Sequence, residues 1–401
     1  MRACAAVAVA CSLCSFAFAQ DLAGSAIAVK TGDEGTRYAP IELPYKGAAP
    51  ETNVHAIDRA SGTKYAATVA NGLFVFVPAE LKANTAYTFD VDVTKDYTQY
   101  AARIEPREIG NAIEVIVNGK LLTVYYHEDD AKKPYLWPLN AEGGMSVTRG
   151  WPMGDQDQTT DHPHHKSFWS AYGNLNEADC WTEGENSGKQ KSGEVDWGAG
   201  DAMAWIRAKN IWESHEGKPV LSEEREYRFY SAAPESIRLI DVRVTFTADR
   251  GGVHFKDTKE GGIVSLRIAD ALREKGGNGT ITQSTGAVGS AQCWGKAAAW
   301  CDYSGTLEGL GKRGVAVFDH PKNLRHPTNW HVRDYGLMGA NCFGYNDFTG
   351  GKENGDYDMK AGDVLTFRYR VYVHSGDVKE AAVAEQYAGF SDPPKAEWVT
   401  K

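Results

Sequence analysis

Short runs in which apolar and polar positions alternate dominate the chain. In "SIRLIDVRVTFTA" the residues Ile240, Val242, Val244 and Phe246 share one face, as the period of two in an extended strand requires. "DVLTFRYRVYVHSGD" repeats the pattern, with Leu365, Phe367, Tyr369, Val371 and Val373 on one side. Thr366, Arg368, Arg370, Tyr372 and His374 fall on the other. One apolar face and one richly polar face predict a large sheet over a core, its far side solvated or lining a groove. "AIEVIVNGKLLTVYYH", "EREYRFYS", "GIVSLRIAD" and "RGVAVFDHP" read as further strands, and Asn118-Gly119 as a two-residue hairpin turn. Helix signals are scarce. The clearest is "GDVKEAAVAEQYAGF", with Asp377 as cap, Glu380 at the capping-box position and Gly389 at the end.

The strand spacing predicts an all-β protein in two parts. "IELPYKG", "VHAIDRASGTKYAATV", "NGLFVFVP" and "AYTFDVDVT" suit a small immunoglobulin-like β-sandwich over residues 20–105. The later strands suit one large antiparallel sandwich over residues 106–392.

Composition narrows the setting. "MRACAAVAVACSLCSFAFAQ" has the charged, apolar and small-residue order of a secretory signal peptide, residues 1–19, cut after Ala19. The mature chain is therefore expected in the periplasm or secreted, and no later stretch approaches membrane-spanning length. Cys180, Cys293, Cys301 and Cys342 follow the signal. An oxidising compartment would permit a Cys293–Cys301 bridge across "CWGKAAAWC". A net charge of −10, with no Lys/Arg cluster along any element, argues against nucleic acid. Eleven tryptophans and nineteen tyrosines supply platforms suited to sugar rings. No obligate protein partner is evident.

Two stretches concentrate chemistry. "DHPHHKSFWSAYGNLNEADCW" holds Asp161, His162, His164, His165, Trp169 and Trp181. If residues 162–165 are extended, His162 and His164 share a face, close enough to hold one metal ion. A further ligand would have to come from elsewhere, with His254, Glu177, Asp179, His320 and His374 all in contention. A divalent metal is thus the one cofactor left open, beside imidazoles acting in acid–base work or in structure. The second stretch, "FDHPKNLRHPTNWHVRDYGLMGANCFGYNDF", carries Asp319, His320, Asn323, His326, Trp330, His331, Arg333, Tyr335 and Asn341. Its prolines and glycines predict one long loop, and long loops on a rigid scaffold commonly carry function. Here Arg333 could neutralise a carboxylate or oxyanion, and Trp330 could stack on a sugar. Between the two lie Glu183, Glu185, Glu194 and Asp196, carboxylates of the kind a glycosidase pairs across the bond it cleaves. Nucleophile-elbow, Walker, Rossmann and His-Glu-x-x-His patterns are absent.

"KPYLWPLNAEGGMSVTRGWPM", the two stretches above and "LTFRYRVYVHSGD", in that order, resemble the secreted bacterial proteins labelled PmoA-like, or methane oxygenase PmoA, a domain of unknown function. The resemblance runs from about residue 110 to about residue 380. It implies a glycan-utilising bacterium and a fold like the galactose-mutarotase supersandwich. Methane oxidation is not carried over, because such a monooxygenase subunit spans the membrane with long apolar helices. Fold alone does not choose a reaction. By analogy with mutarotase sites, His164 and His165 would work with a distant carboxylate as acid and base.

The expectation is a carbohydrate-active enzyme that cleaves a glycosidic bond by hydrolysis or by β-elimination from a 3-keto or uronic sugar. His164, His165, His331 and Arg333 would be catalytic. Asp161, Trp169, Trp181, Asp319, His320, Asn323, Trp330, Tyr335 and Asn341 would bind substrate, and His162 with His164 would hold any metal. A non-catalytic glycan-binding protein and a sugar mutarotase or epimerase are the alternatives.

Overall fold

In the computed structural model two eight-stranded antiparallel sheets face one another across a single apolar core. Residues 22–50, 52–94, 104–128, 130–154, 159–231 and 235–399 are described. The expected signal peptide lies outside them.

The first sheet runs Trp330–Val332, Leu337–Ala340, Gly261–Arg267, Phe168–Tyr172, Tyr135–Leu136, Lys120–Tyr126, Ala112–Val117, Ile104–Ile109. The second runs Lys189–Ala199, Met203–Glu213, Pro219–Tyr230, Ile237–Thr247, Val364–Ser375, Gly311–Asp319, Trp300–Leu307, Thr280–Gln283. Alternation sets which side chains meet between them. Phe168, Leu266, Val264 and Ala340 point inward from the first sheet, and Val242, Val244, Phe367 and Val371 from the second. Asn118 and Gly119 both take positive φ, 53° and 73°, which closes the expected hairpin between Val117 and Lys120.

The core also holds charge. Arg225 Nε donates to Glu223 Oε1 at 2.5 Å, Trp212 Nε1 donates to Glu223 Oε2 at 2.6 Å, and both charged side chains are fully buried. The four described cysteines are all free and buried. Cys293 ends the short helix Ser290–Cys293, whereas Cys301 lies on the strand paired with Gln283, and the two thiols do not join.

Around its own apolar core, the N-terminal part forms a seven-stranded antiparallel sheet. Its last strand comes from the far end of the chain: Lys395–Val399 pairs with Ala26–Lys30. The sheet curls until Trp398 Nε1 donates to the Pro44 carbonyl at 2.9 Å. This module and the helix Val383–Ser391 cover part of the outer face of the second sheet, where Val75, Met203, Phe318, Tyr372 and Phe390 pack together. The capping box forms as expected, Asp377 N–H donating to Glu380 Oε2 at 2.9 Å. It closes a turn and not the helix, which starts after Ala382 in the left-handed region.

Candidate functional site

The outer face of the first sheet carries a continuous row of side chains. Tyr126, Tyr135, Trp169, Ser265, Gly339 and His331 are successive cross-strand partners. Partners in register project to the same face. The row therefore runs aromatic, aromatic, aromatic, small, small, imidazole. Arg267 stands two residues after Ser265 and shares its face.

The histidine segment folds over this row as a tight turn. His162 has φ 49°, Pro163 and His164 occupy the middle, and His165 N–H donates to the His162 carbonyl at 3.0 Å. Proline at the second position favours such a turn. This corrects the extended reading. Instead of sending rings to opposite faces, the turn stacks them. His162 lies parallel to Tyr335 at 5.1 Å and to His165 at 4.7 Å, and His165 lies on Trp169 at 5.2 Å. His164 stands edge-on to His165 at 4.5 Å and to Trp181 at 6.1 Å.

One carboxylate holds the turn in place. Asp161 Oδ1 accepts from Arg149 at 2.8 Å and from Arg267 at 2.5 Å, while Oδ2 lies 2.6 Å from His162 Nδ1. Both arginine side chains are fully buried, and Arg267 also reaches His165 Nδ1 at 3.2 Å. Burial works to raise the Asp161 pKa, but the hydrogen bond and charge of Arg267, with His162 and Arg149, hold it well below the usual carboxylate range. Burial and the neighbouring Arg267 bring Arg149 down to about 10.

A second ion cluster borders the turn. Lys133 Nζ, fully buried, lies 2.8 Å from Glu183 Oε1 and donates to the Trp181 carbonyl at 3.0 Å, and Lys166 lies 3.1 Å from Glu183 Oε2. Burial alone would raise Glu183, yet the two lysines keep it below its ordinary value. Burial lowers His164 to about 4, helped by the charges of Lys133 and His162. His165 falls well below the ordinary imidazole value, chiefly by burial and then by His164 and Arg267. His331 falls to about 3, by burial and then by Arg333 and Lys259.

Trp137, Trp169 and Trp181 have buried indole N–H groups, and His331 a buried Nδ1, without a partner among the described residues. The Arg333 guanidinium lies over the Trp294 and Tyr335 rings, at 5.6 and 5.7 Å. Asp161 thus pairs with Arg149 and Arg267, Glu183 with Lys133 and Lys166, and Arg333 has no carboxylate partner among the described residues. Among the described residues no group of three or more His, Cys, Asp or Glu side chains could hold a metal ion. His162 and His164 lie 5.8 Å apart between ring centres, and the Nδ1 of His162 is taken by Asp161, so any part in holding an ion would fall to its Nε2.

Asp161, His162, His164, His165, Trp169, Trp181, His331, Arg333 and Tyr335 are therefore brought together. The long 318–348 stretch is not one loop. Trp330–Val332 and Leu337–Ala340 form a hairpin of the first sheet, and alternation splits neighbours within it. His331 faces the site, whereas Trp330 is fully buried in the core with its Nε1 donating to the Ala298 carbonyl at 2.8 Å. Trp330 stacks on no ligand. Asp319 is fully buried and accepts from Asn323 at 2.7 Å and Thr328 N–H at 2.8 Å, with His326 Nδ1 at 2.7 Å. Asn323 also bonds the backbone of Arg368, which ties both residues to the second sheet. His320 lines a cleft on that sheet. Asn341 donates to the Thr258 and Lys259 carbonyls and is a loop staple. None of these four reaches the histidine turn.

Arg149, Arg267, Lys133, Tyr135 and Trp137 escaped the reading of the sequence. Arg267 left one usable signal, a lone charge in the otherwise apolar strand "GIVSLRI".

No curated protein matches the chain. Among solved structures it is similar to a protein in the glycosyl hydrolase family 38 from Enterococcus faecalis, at 11% identity and a TM-score of 0.38, covering 94% of this chain and 47% of that one. An alpha-mannosidase from Enterococcus faecalis V583 gives 11% identity and a TM-score of 0.40, covering 94% and 46%. The chain spans about half the length of both. A galactose mutarotase related enzyme from Lactobacillus acidophilus gives 11% identity and a TM-score of 0.25, covering 68% of this chain and 98% of that one. Residues 112–388, well over half of the chain, match one family model, and the protein belongs to that family of unknown function, DUF6807.

Proposed function

We propose that the outer face of the first sheet binds an acidic or keto sugar and cleaves its glycosidic bond by β-elimination. The observation that carries this reading is the Asp161–His162 pair pinned by Arg149 and Arg267. A carboxylate on Nδ1 orients the ring and leaves Nε2 as the base, the logic of an activated base held by a third group. His162, with 40% of its side chain exposed, is the most exposed imidazole of the turn, ahead of the partly buried His164. It takes the proton α to the sugar's carbonyl or carboxylate group. The electron pair moves toward that oxygen, where Arg333 stabilises the developing enolate. The β carbon–oxygen bond then breaks, and the leaving oxygen takes a proton from the Tyr335 hydroxyl. Burial raises the Tyr335 pKa, partly offset by Arg333 and Arg267, so this hydroxyl keeps its proton at neutral pH.

Hydrolysis is less well supported. It asks for one carboxylic acid that stays protonated, and here Asp161 and Glu183 are both held ionised by buried cations. The PmoA-like resemblance and the signal-like first residues support a protein exported to a compartment where glycans are degraded. The testing experiment is mass spectrometry of products from uronic and 3-keto glycosides. Elimination gives an unsaturated sugar lighter by a water than the hydrolysis product. Products carrying that water, or anomer exchange without cleavage, would overturn the reading.

A further inference from the structure

A polar cavity of about 480 Å³ lies between the N-terminal module, the segment after the last helix and the outer face of the second sheet. That volume is within the range of small-ligand pockets. It is distinct from the histidine face, which belongs to the first sheet.

Its floor is two rows of cross-strand partners. In one, Arg207, Glu226, Arg243 and Arg368 stand side by side. In the next, Arg228, Asp241 and Arg370 do so. The carboxylates satisfy most of these guanidiniums. Glu226 lies 3.4 Å from Arg207, 3.1 Å from Arg228 and 3.0 Å from Arg243, and Glu224 reaches Arg243 at 3.6 Å from the rim. Glu42 holds Arg228 at 2.8 Å, and Asp241 holds Arg370 at 2.5 Å.

Two groups are left over. Arg368 stands directly opposite Arg243 and has no carboxylate partner among the described residues. Like charges directly opposite in a sheet destabilise it. Arg370 is 4% exposed, and its Nη1 has no partner among the described residues. A buried guanidinium donor without an acceptor is costly. His320 adds a further donor, because Lys322 N–H donates to its Nδ1 at 3.0 Å and leaves Nε2–H open. Phe390 and the prolines at 40, 393 and 394 supply apolar walls.

We propose that this cleft binds a small ligand bearing an oxyanion, carboxylate or phosphate, seated between Arg243 and Arg368 within reach of Arg370. The anion supplies the missing charge opposite Arg368, and the apolar walls hold the body that carries it.

The test is calorimetric titration of the full chain at low salt with glucuronate, glucose 6-phosphate, inorganic phosphate and glucose. At least one anionic probe should bind in a salt-sensitive way, and glucose should not. Whichever anion binds best identifies the group as carboxylate or phosphate. Arg368→Gln should weaken that binding about ten- to a hundredfold, the worth of a hydrogen bond to a charged group. Arg368→Lys should restore part of it, and His162→Ala should leave it intact. Without ligand, Arg368→Gln should melt at or above the wild-type temperature, because it removes a like-charge pair. No binding of any anionic probe, binding indifferent to Arg368→Gln, or binding lost in His162→Ala would overturn the proposal.

Discussion

Arg267 Nη1 lies 3.2 Å from Nδ1 of His165, and a guanidinium has only protons to offer. Nδ1 of His165 must therefore accept, which places the ring proton on Nε2. The fully buried cation opposes a second proton on the ring, as burial does. Nitrogen-15 NMR should show His165 as a single Nε2–H tautomer on both sides of the usual imidazole midpoint. Titration near 6.5 would contradict the contact.

The neutral imidazoles also make stability depend on acid. His164 and His331 have folded-state values of about 4 and about 3, below the unfolded value of 6.5. Below pH 6.5 the unfolded chain takes up protons that the folded chain refuses. Stability from these groups is thus complete above 6.5 and falls as the pH drops toward 4 and then 3. For the buried His331 the slope is about 1.4 kcal/mol per pH unit. His331→Gln should flatten the melting temperature against pH below 6.5. An unchanged slope would show that this ring titrates normally.

Asp161 is the keystone of the two buried arginines. Replacing it with alanine leaves Arg149 and Arg267 side by side with no anion between them. Asp161 is 40% exposed and Arg149 keeps backbone carbonyl partners, so the loss is that of hydrogen bonds to charged groups, about 1.5–3 kcal/mol, and not that of a fully buried pair. Asp161→Ala should lose stability on that scale in denaturant unfolding, whereas Glu194→Ala, at an exposed pair with Lys209, should leave the unfolding midpoint near that of the wild type. Equal effects would mean that the arginines find other partners.

Much of this architecture was legible from alternation alone. The apolar face of "SIRLIDVRVTFTA" packs on the core, and the polar face of "LTFRYRVYVH" lines a cleft, because side-chain period in a strand is a local property. The site was only half legible. His331 and Trp330 are neighbours in sequence and end on opposite faces, an outcome settled by a hairpin that prolines and glycines had disguised as loop. Arg149 and Arg267 were missed because the carboxylate that explains them, Asp161, is distant in sequence from Arg267 and meets it only across the sheet. Three histidines around a proline suggested ligands in an extended strand. One left-handed residue, His162, makes a turn that stacks His162 on His165 and sets His164 edge-on.

That stack separates the roles of the three rings, and mutation should expose the separation. His165 is buried between His162 and Trp169, so His165→Ala opens a gap and should lower the melting temperature along with activity. His162 is on the outside of the turn, bonded to a carboxylate already neutralised by two arginines. Removing its ring leaves Asp161 with both arginines, so His162→Ala should melt near wild type. Turnover should nevertheless fall by about two to four orders of magnitude, the usual contribution of a positioned base. Arg333 lies over two aromatic rings and has no ion-pair partner among the described residues, so Arg333→Ala should fall in the same range through loss of enolate stabilisation, again with little change in melting. The pair of readouts decides the assignment. If His162→Ala retains turnover while His164→Ala abolishes it without unfolding, the base is His164, and Asp161 serves only to hold the turn.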